Sequence, residues 1–265
     1  MSVADHLHLI AIGGLDPSGG AGILRDGLTA RAHGASFRLV GTAWAEQSPL
    51  HGVQAINPRP ADELQRAIGL ALKEAPPGRT AVKVGMAVNS SLLRTIASAL
   101  EGFGGPVVFD PVVGATAGGA LFDPGPVNLR QALAPLLARA WVVTPNVREA
   151  SLICDRPVTE VDEAVWCGQV LANQGARAVV IKGGHLVTSS VVDVLVHAGR
   201  THKVEGERIA GPNVRGTGCS YATSLALTLA EGNALPEACA KAQAHVVAGI
   251  RKARQVGPEW HLGHV

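Results

Sequence analysis

The sequence has no strong charge of either sign: 23 lysines and arginines stand against 21 aspartates and glutamates, for a formal net charge of +2. It also has no run of five or more basic residues. That balance speaks against a nucleic-acid partner, because phosphate backbones are held by clustered lysine and arginine. Cysteine is sparse. Cys154, Cys167, Cys219 and Cys239 form no CxxC pair, and neither they nor the ten histidines show metal-ligand spacing. Three of the four sit in apolar or helical contexts and read as small core residues, a pattern that favours a reducing compartment. Met1 to His8 carries Asp5 and no basic start, so nothing there resembles a signal peptide. No apolar run reaches membrane-spanning length. A soluble cytoplasmic protein without a membrane partner is the expectation.

Glycine, by contrast, is abundant, with 32 among 265 residues. The glycines fall in short clusters between apolar runs, as turns and ligand loops do in α/β enzymes. Apolar residues make up 47% and charged residues 17%, which excludes a disordered chain. The length suffices to bury a large core. Apolar strands at Leu7–Ile12, Ser36–Ala45, Ala81–Val84, Pro106–Phe109, Trp141–Val143 and Ala178–Ile181 alternate with helical stretches. An antiparallel pair, Val191–His197 and Thr201–Arg208, follows. Strand–helix alternation argues a mainly parallel sheet covered on both faces. With no linker or repeat to divide it, the chain reads as a single-domain three-layer α/β/α sandwich. Trp44, Trp141 and Trp166 read as core.

The stretch Asn213-Val214-Arg215-Gly216-Thr217-Gly218-Cys219-Ser220 runs from a glycine turn into an alanine- and leucine-rich helix. Free N–H groups at a helix start point at whatever sits there, and the dipole favours an anion. Gly216, Thr217 and Gly218 thus read as an anion cradle. Cys219 is a candidate base at its rim, where a thiol pKa tends to fall. The same stretch also reads as an ordinary glycine turn with a buried cysteine. A second glycine loop, Gly13 to Gly22, follows the first strand and is neither a dinucleotide fingerprint nor a Walker loop.

Asp110, Asn146, Glu149 and Lys182 each follow the end of an apolar strand, and ligands of such sheets bind outside the strands' carboxyl ends. An anion cradle, a lysine and several oxygen ligands are the parts required for phosphoryl transfer. Lys182 offers a point charge for phosphate, and Asp110, Asn146 and Glu149 offer hard oxygens suited to Mg²⁺.

With these segments on the page, the chain resembles the hydroxymethylpyrimidine/phosphomethylpyrimidine kinases of thiamine biosynthesis, within the ribokinase-like superfamily. The resemblance runs from Leu9 to about Ala230. Gly14 to Gly22 is similar to that family's N-terminal loop, including Asp-Pro-Ser-Gly-Gly-Ala-Gly. The resemblance implies that Gly14, Asp26, Gln47 and Met86 contact the pyrimidine. It implies further that Asp110 and Glu149 serve the metal, and that Asn146, Lys182 and Thr217 hold ATP phosphates. Gly216-Thr217-Gly218-Cys219 would be the anion hole and base. ATP as phosphoryl donor, Mg²⁺ and a small hydroxymethylpyrimidine or its phosphate are the implied ligands, and a homodimer is compatible with it.

Three departures stand out. Thr116 occupies the position of a flap lysine, Gln47 is followed by Ser48-Pro49, and the family's C-terminal Gly-His-Gly-Pro run is only echoed in Gly257-Pro258 and His264. A pyridoxal kinase of the same branch and a non-catalytic pyrimidine-binding pseudo-kinase are the competing readings.

Overall fold

A computed structural model describes residues 6–48, 52–76, 78–114 and 119–265, with Gln47 and Ser48 described by their backbone alone. Thr116 lies outside the described residues. The chain begins β1 (His8–Leu15), α1 (Gly22–Ala32), β2 (Ser36–Ser48), β3 (Gly52–Pro58), α2 (Ala61–Glu74), β4 (Thr80–Val84), β5 (Val88–Asn89) and α3 (Ser90–Ala99). It continues through β6 (Val107–Phe109), β7 (Phe122–Asp123), α4 (Leu129–Arg139), β8 (Val142–Val143), α5 (Val147–Cys154), α6 (Val161–Ala172) and β9 (Ala178–Ile181). The last elements are β10 (Val191–His197), β11 (Arg200–Gly206), β12 (Val214–Arg215), α7 (Thr217–Ala230), α8 (Leu235–Arg251), β13 (Arg254–Val256) and β14 (Glu259–His261).

Nine strands form one sheet in the order β11-β10-β9-β8-β6-β4-β1-β2-β3. The six from β9 to β2 pair in parallel, and β3, β10 and β11 add antiparallel edges. Alternation along each strand divides the core between two faces. Ile10 and Ile12 of β1 pack with Leu64, Leu93, Leu133, Ala150 and Cys167 of α2 to α6. Leu9 and Ala11 pack on the other face with Ile23 of α1, Leu225 of α7 and Ala238 of α8. This is the three-layer ribokinase-like arrangement. Such sheets need near-continuous apolar strands because both faces are buried, which is why the central strands were readable as apolar runs.

The structure departs from the sequence reading in three places. Trp44 is 53% exposed and is not core; it sits on β2, close to the sheet edge. Residues 52–58 form β3, a strand whose mixed composition gave no apolar run. Cys154 and Cys167 are joined in a disulfide between α5 and α6, with Cα atoms 6.2 Å apart. They are therefore not the separate core thiols expected, and no sequence spacing announces a pairing made by two packed helices. Among the described residues, no helix is long and apolar enough to cross a membrane.

The disulfide closes a 13-residue separation. Loop-closure entropy predicts that reducing it lowers the unfolding free energy by about 3 kcal/mol. Urea denaturation with and without reductant measures the difference, with a Cys154→Ala/Cys167→Ala variant as the insensitive control.

Candidate active site

The carboxyl ends of the parallel strands open into a cavity of about 520 Å³. Its lining includes Gly14, Asp26, Met86, Asp110, Asn146, Glu149, Lys182 and the Gly216–Cys219 turn. All the sequence-derived site residues with described side chains are among them; Gln47 is described by its backbone alone. Its backbone ends β2 next to a register shift, and its side chain lies outside the described residues.

Three helix N-termini line this cavity and are closed differently: at α1, Asp16 Oδ2 accepts from the Ala21 N–H at 3.0 Å and the Gly22 N–H meets Cys219. The start of α5 is closed by a reciprocal capping box. Asn146 Oδ1 accepts from the N–H groups of Arg148 (2.9 Å) and Glu149 (3.0 Å), and Glu149 Oε2 accepts from Asn146 N–H (2.8 Å). The start of α7 has no side-chain cap. Its N-cap, Gly216, has φ +87°, a left-handed conformation that a side chain would strain. A Cβ on Gly216 would also run into the Gly20 carbonyl of the N-terminal loop. The first N–H groups of α7 therefore have no partner within the helix and are open to an anion.

Lys182 completes that end. A Cβ on Gly218 would stand 3.2 Å from Lys182 Nζ, so the ammonium faces the first turn of α7 directly. Lys182 Nζ donates to Asp110 Oδ1 at 2.6 Å, and Thr144 Oγ1 lies 3.3 Å from the same oxygen. Burial works against the Lys182 charge, but Asp110 and then Glu149 outweigh it and hold the ammonium above its ordinary range. Burial pushes the Glu149 carboxyl up to about 8, opposed by Lys182 and reinforced by Asp110. Asp193, which sequence reading missed, fixes the turn after Lys182. Its Oδ1 accepts from Gly183 N–H at 2.8 Å and its Oδ2 from Gln243 Nε2 at 3.0 Å.

On the acceptor side, a Cβ on Gly14 would lie 2.5 Å from Met86 Cε, so the methionine packs directly against that glycine. Thr42 Oγ1 donates to the Met86 carbonyl at 2.7 Å and fixes that segment. Asp26 occupies a different environment from the one anticipated. It is fully buried, with Oδ2 2.9 Å from Lys83 Nζ and Oδ1 accepting from Thr223 Oγ1 at 3.0 Å. Each oxygen accepts one of these bonds and keeps a further lone pair for another donor. Burial pushes the Asp26 carboxyl up while Lys83 and Thr223 pull it back. Burial disfavours the Lys83 ammonium, but Asp26 more than reverses that and leaves it raised. Lys83 was visible in the sequence only as one charged residue in an apolar strand.

Cys219 corrects one expectation. Its position at the start of a helix suggested a lowered thiol pKa, yet burial pushes it up to about 11, with Lys83 only partly offsetting this. Beyond these residues, Ile209, Pro212, Val246, Val247 and Ile250 add apolar side chains to the cavity lining.

Removing one partner of a buried ion pair strands the other charge. Lys83→Met is thus expected to lower the unfolding free energy by about 3–5 kcal/mol. The double variant Asp26→Asn/Lys83→Met should recover most of that loss. Urea denaturation of the three proteins checks it.

Comparison with known proteins agrees with this geometry. The profile of the phosphomethylpyrimidine kinase family matches residues 16–263. The chain is 35% identical over 262 residues to the hydroxymethylpyrimidine/phosphomethylpyrimidine kinase of Rhizobium meliloti, covering 96% of each. It is 34% identical over 251 residues to the thiamine biosynthesis bifunctional protein ThiED of Geobacter sulfurreducens, covering 94% of this chain and 50% of that protein. The chain thus spans about half the length of that relative. Among solved structures, the ADP complex of Bacillus subtilis pyridoxal kinase superposes with a TM-score of 0.86 at 25% identity, covering 98% of both chains. With the profile spanning nearly the whole chain and an uncapped helix end facing a buried lysine, this protein belongs to the phosphomethylpyrimidine kinase family.

Proposed function

We propose that the chain is a single kinase domain that transfers the γ-phosphoryl group of ATP to hydroxymethylpyrimidine, to its monophosphate, or to both, in thiamine biosynthesis. The observation that carries this reading is the uncapped N-terminus of α7 facing Lys182. Unpaired N–H groups and a neighbouring ammonium supply what a transferring phosphoryl group needs, worth on the order of 3 kcal/mol per donor in the transition state. The apolar side of the cavity, with Val246, Val247 and Ile250 of α8, suits the adenine ring.

Asp110 and Glu149 fit a divalent cation. Burial and mutual repulsion hold the Glu149 carboxyl at about 8, a state that a nearby dication reverses by displacing the proton. Among the described residues, no group of three or more acidic, histidine or cysteine side chains is gathered to bind a metal. Two carboxylates suit Mg²⁺ that is held largely by water and substrate phosphates. When bound, the ion would neutralise phosphate charge. A cytoplasmic setting and a homodimer accord with a small-molecule kinase, although the Cys154–Cys167 disulfide weighs against a reducing compartment.

The two acceptors make different demands on Cys219. An alcohol must lose its proton as its oxygen attacks phosphorus, and on this reading the thiolate of Cys219, which lines the cavity, takes it. A phosphate monoester arrives ionised and needs no base. Because the working form is the thiolate and the thiol is held at about 11, its population rises roughly tenfold per pH unit until that value. Alcohol phosphorylation should therefore climb across the alkaline range while monophosphate phosphorylation does not. The structural similarity to a pyridoxal kinase makes pyridoxal the acceptor to compare.

Coupled ATP turnover with hydroxymethylpyrimidine, its monophosphate and pyridoxal tests the reading, and turnover of neither pyrimidine refutes it. Cys219→Ala should lower alcohol turnover by roughly 10²–10⁴-fold and largely spare the monophosphate step. Equal loss on both acceptors removes Cys219 from the base role.

A further inference from the structure

Arg215 precedes the cradle and lines the cavity beside it, but among the described residues its ion pairs are not with Asp110 or Glu149. Its guanidinium is instead divided between two carboxylates from opposite ends of the chain. Nη2 lies 2.9 Å from Asp16 Oδ2 in the N-terminal loop, and Nη1 lies 2.6 Å from Glu259 Oε1 on β14. All three side chains are largely buried, with 11%, 4% and 15% of their surfaces exposed. At that burial a bridging guanidinium is a firm link, unlike a surface ion pair.

Each end of the bridge is itself anchored. Asp16 Oδ1 accepts from Ser18 N–H and Ser18 Oγ, and its Oδ2 also accepts from Ala21 N–H at 3.0 Å. Asp16 therefore shapes the loop that leads from Gly14 into α1. On the other side, β14 pairs in parallel with β12, matching Val214 to Trp260 and Arg215 to His261. Leu262 N–H donates to the Arg215 carbonyl at 3.1 Å. Arg25 of α1 closes the ring, with Nη1 on the Leu262 carbonyl at 3.0 Å and Nη2 on the Gly19 carbonyl at 3.3 Å. The N-terminal loop, the turn into α7 and the C-terminal ribbon β13–β14 are thus bound together at the residue immediately before Gly216.

We propose that Arg215 is a positioning residue: through Asp16 and Glu259 it fixes the left-handed turn at Gly216, and so aligns the α7 N–H groups with the acceptor loop. The α7 end has no side-chain cap of its own to set its direction. Its orientation comes from the Arg215 bridge and from the contact of Gly216 against Gly20. The C-terminal ribbon is accordingly part of the active-site framework rather than a tail.

The inference rests on the kinase reading, and wild-type turnover in the same assay tests that reading separately. Arg215→Ala is expected to lower kcat roughly 100-fold for every acceptor the wild type uses, the cost of a cradle misplaced by about 1 Å. The KM for ATP should rise by much less than kcat falls, because Lys182 and the apolar lining of the cavity remain in place. Millimolar methylguanidinium should restore at least about tenfold of the lost rate by refilling the bridge. That rescue separates positioning from folding, since guanidinium-type ions weaken folded states. A folded Arg215→Ala protein with kcat within about threefold of wild type overturns the proposal, as does a folded but slow protein that methylguanidinium leaves unchanged. Should Arg215→Ala fail to fold, Glu259→Gln retains the hydrogen bond and loses only the charge. Its kcat should fall roughly tenfold, and an unchanged kcat overturns the proposal equally.

Discussion

The structure depends on an arrangement of positive ends that lacks an anion of its own. The start of α7 points N–H groups without a side-chain cap at a region that already holds Lys182, whose ammonium is paired with Asp110 and faces Glu149. Two partial or full positive charges that face each other are unfavourable until something negative lies between them. A site built this way is organised for a phosphate before the phosphate arrives. The contrast with α5 makes the point, because that helix start is closed by Asn146 and Glu149. The fold presents the starts of α1, α5 and α7 to the same cavity: α5 is closed by its capping box, the first N–H groups at α1 meet Asp16 and Cys219, and α7 has no side-chain cap.

Around that centre the buried polar groups are mostly frameworks. Asp193 and Gln243 hold the turn behind Lys182, Asp26 and Lys83 pin α1 to β4 beneath the cavity, and Thr223 ties both to α7. Buried charges of this kind are costly unless paired and fully hydrogen-bonded. Their concentration under one sheet edge shows where the molecule spends stability on geometry. On the proposed reading, the chemistry falls to few groups: the α7 amides, Lys182, the Asp110–Glu149 pair and Cys219.

Much of this was legible in the sequence because parallel sheets buried on both faces demand apolar runs, and their strands end where polar residues begin. Asp110, Asn146, Glu149 and Lys182 could be found by that rule alone, and the cavity gathers all four. What escaped was set by tertiary pairing. Asp26 was expected at the acceptor and does line the cavity, but its partner Lys83 lies 57 residues away on β4, which no local pattern shows. The helix-end rule suggested an acidic thiol at Cys219, whereas desolvation outweighs the helix end there. The Cys154–Cys167 disulfide, the exposed Trp44 and the Arg215 bridge likewise depend on which elements pack together, and no local pattern encodes that.

The central claim is that Lys182 and the open end of α7 form the triphosphate site. Calorimetric titration of Lys182→Met with a non-hydrolysable ATP analogue and, separately, with adenosine tests it directly. Loss of one charged hydrogen-bonding partner should weaken the triphosphate by roughly 10- to 100-fold and leave adenosine unchanged. Equal affinity of the variant and wild-type proteins for the triphosphate would contradict the account.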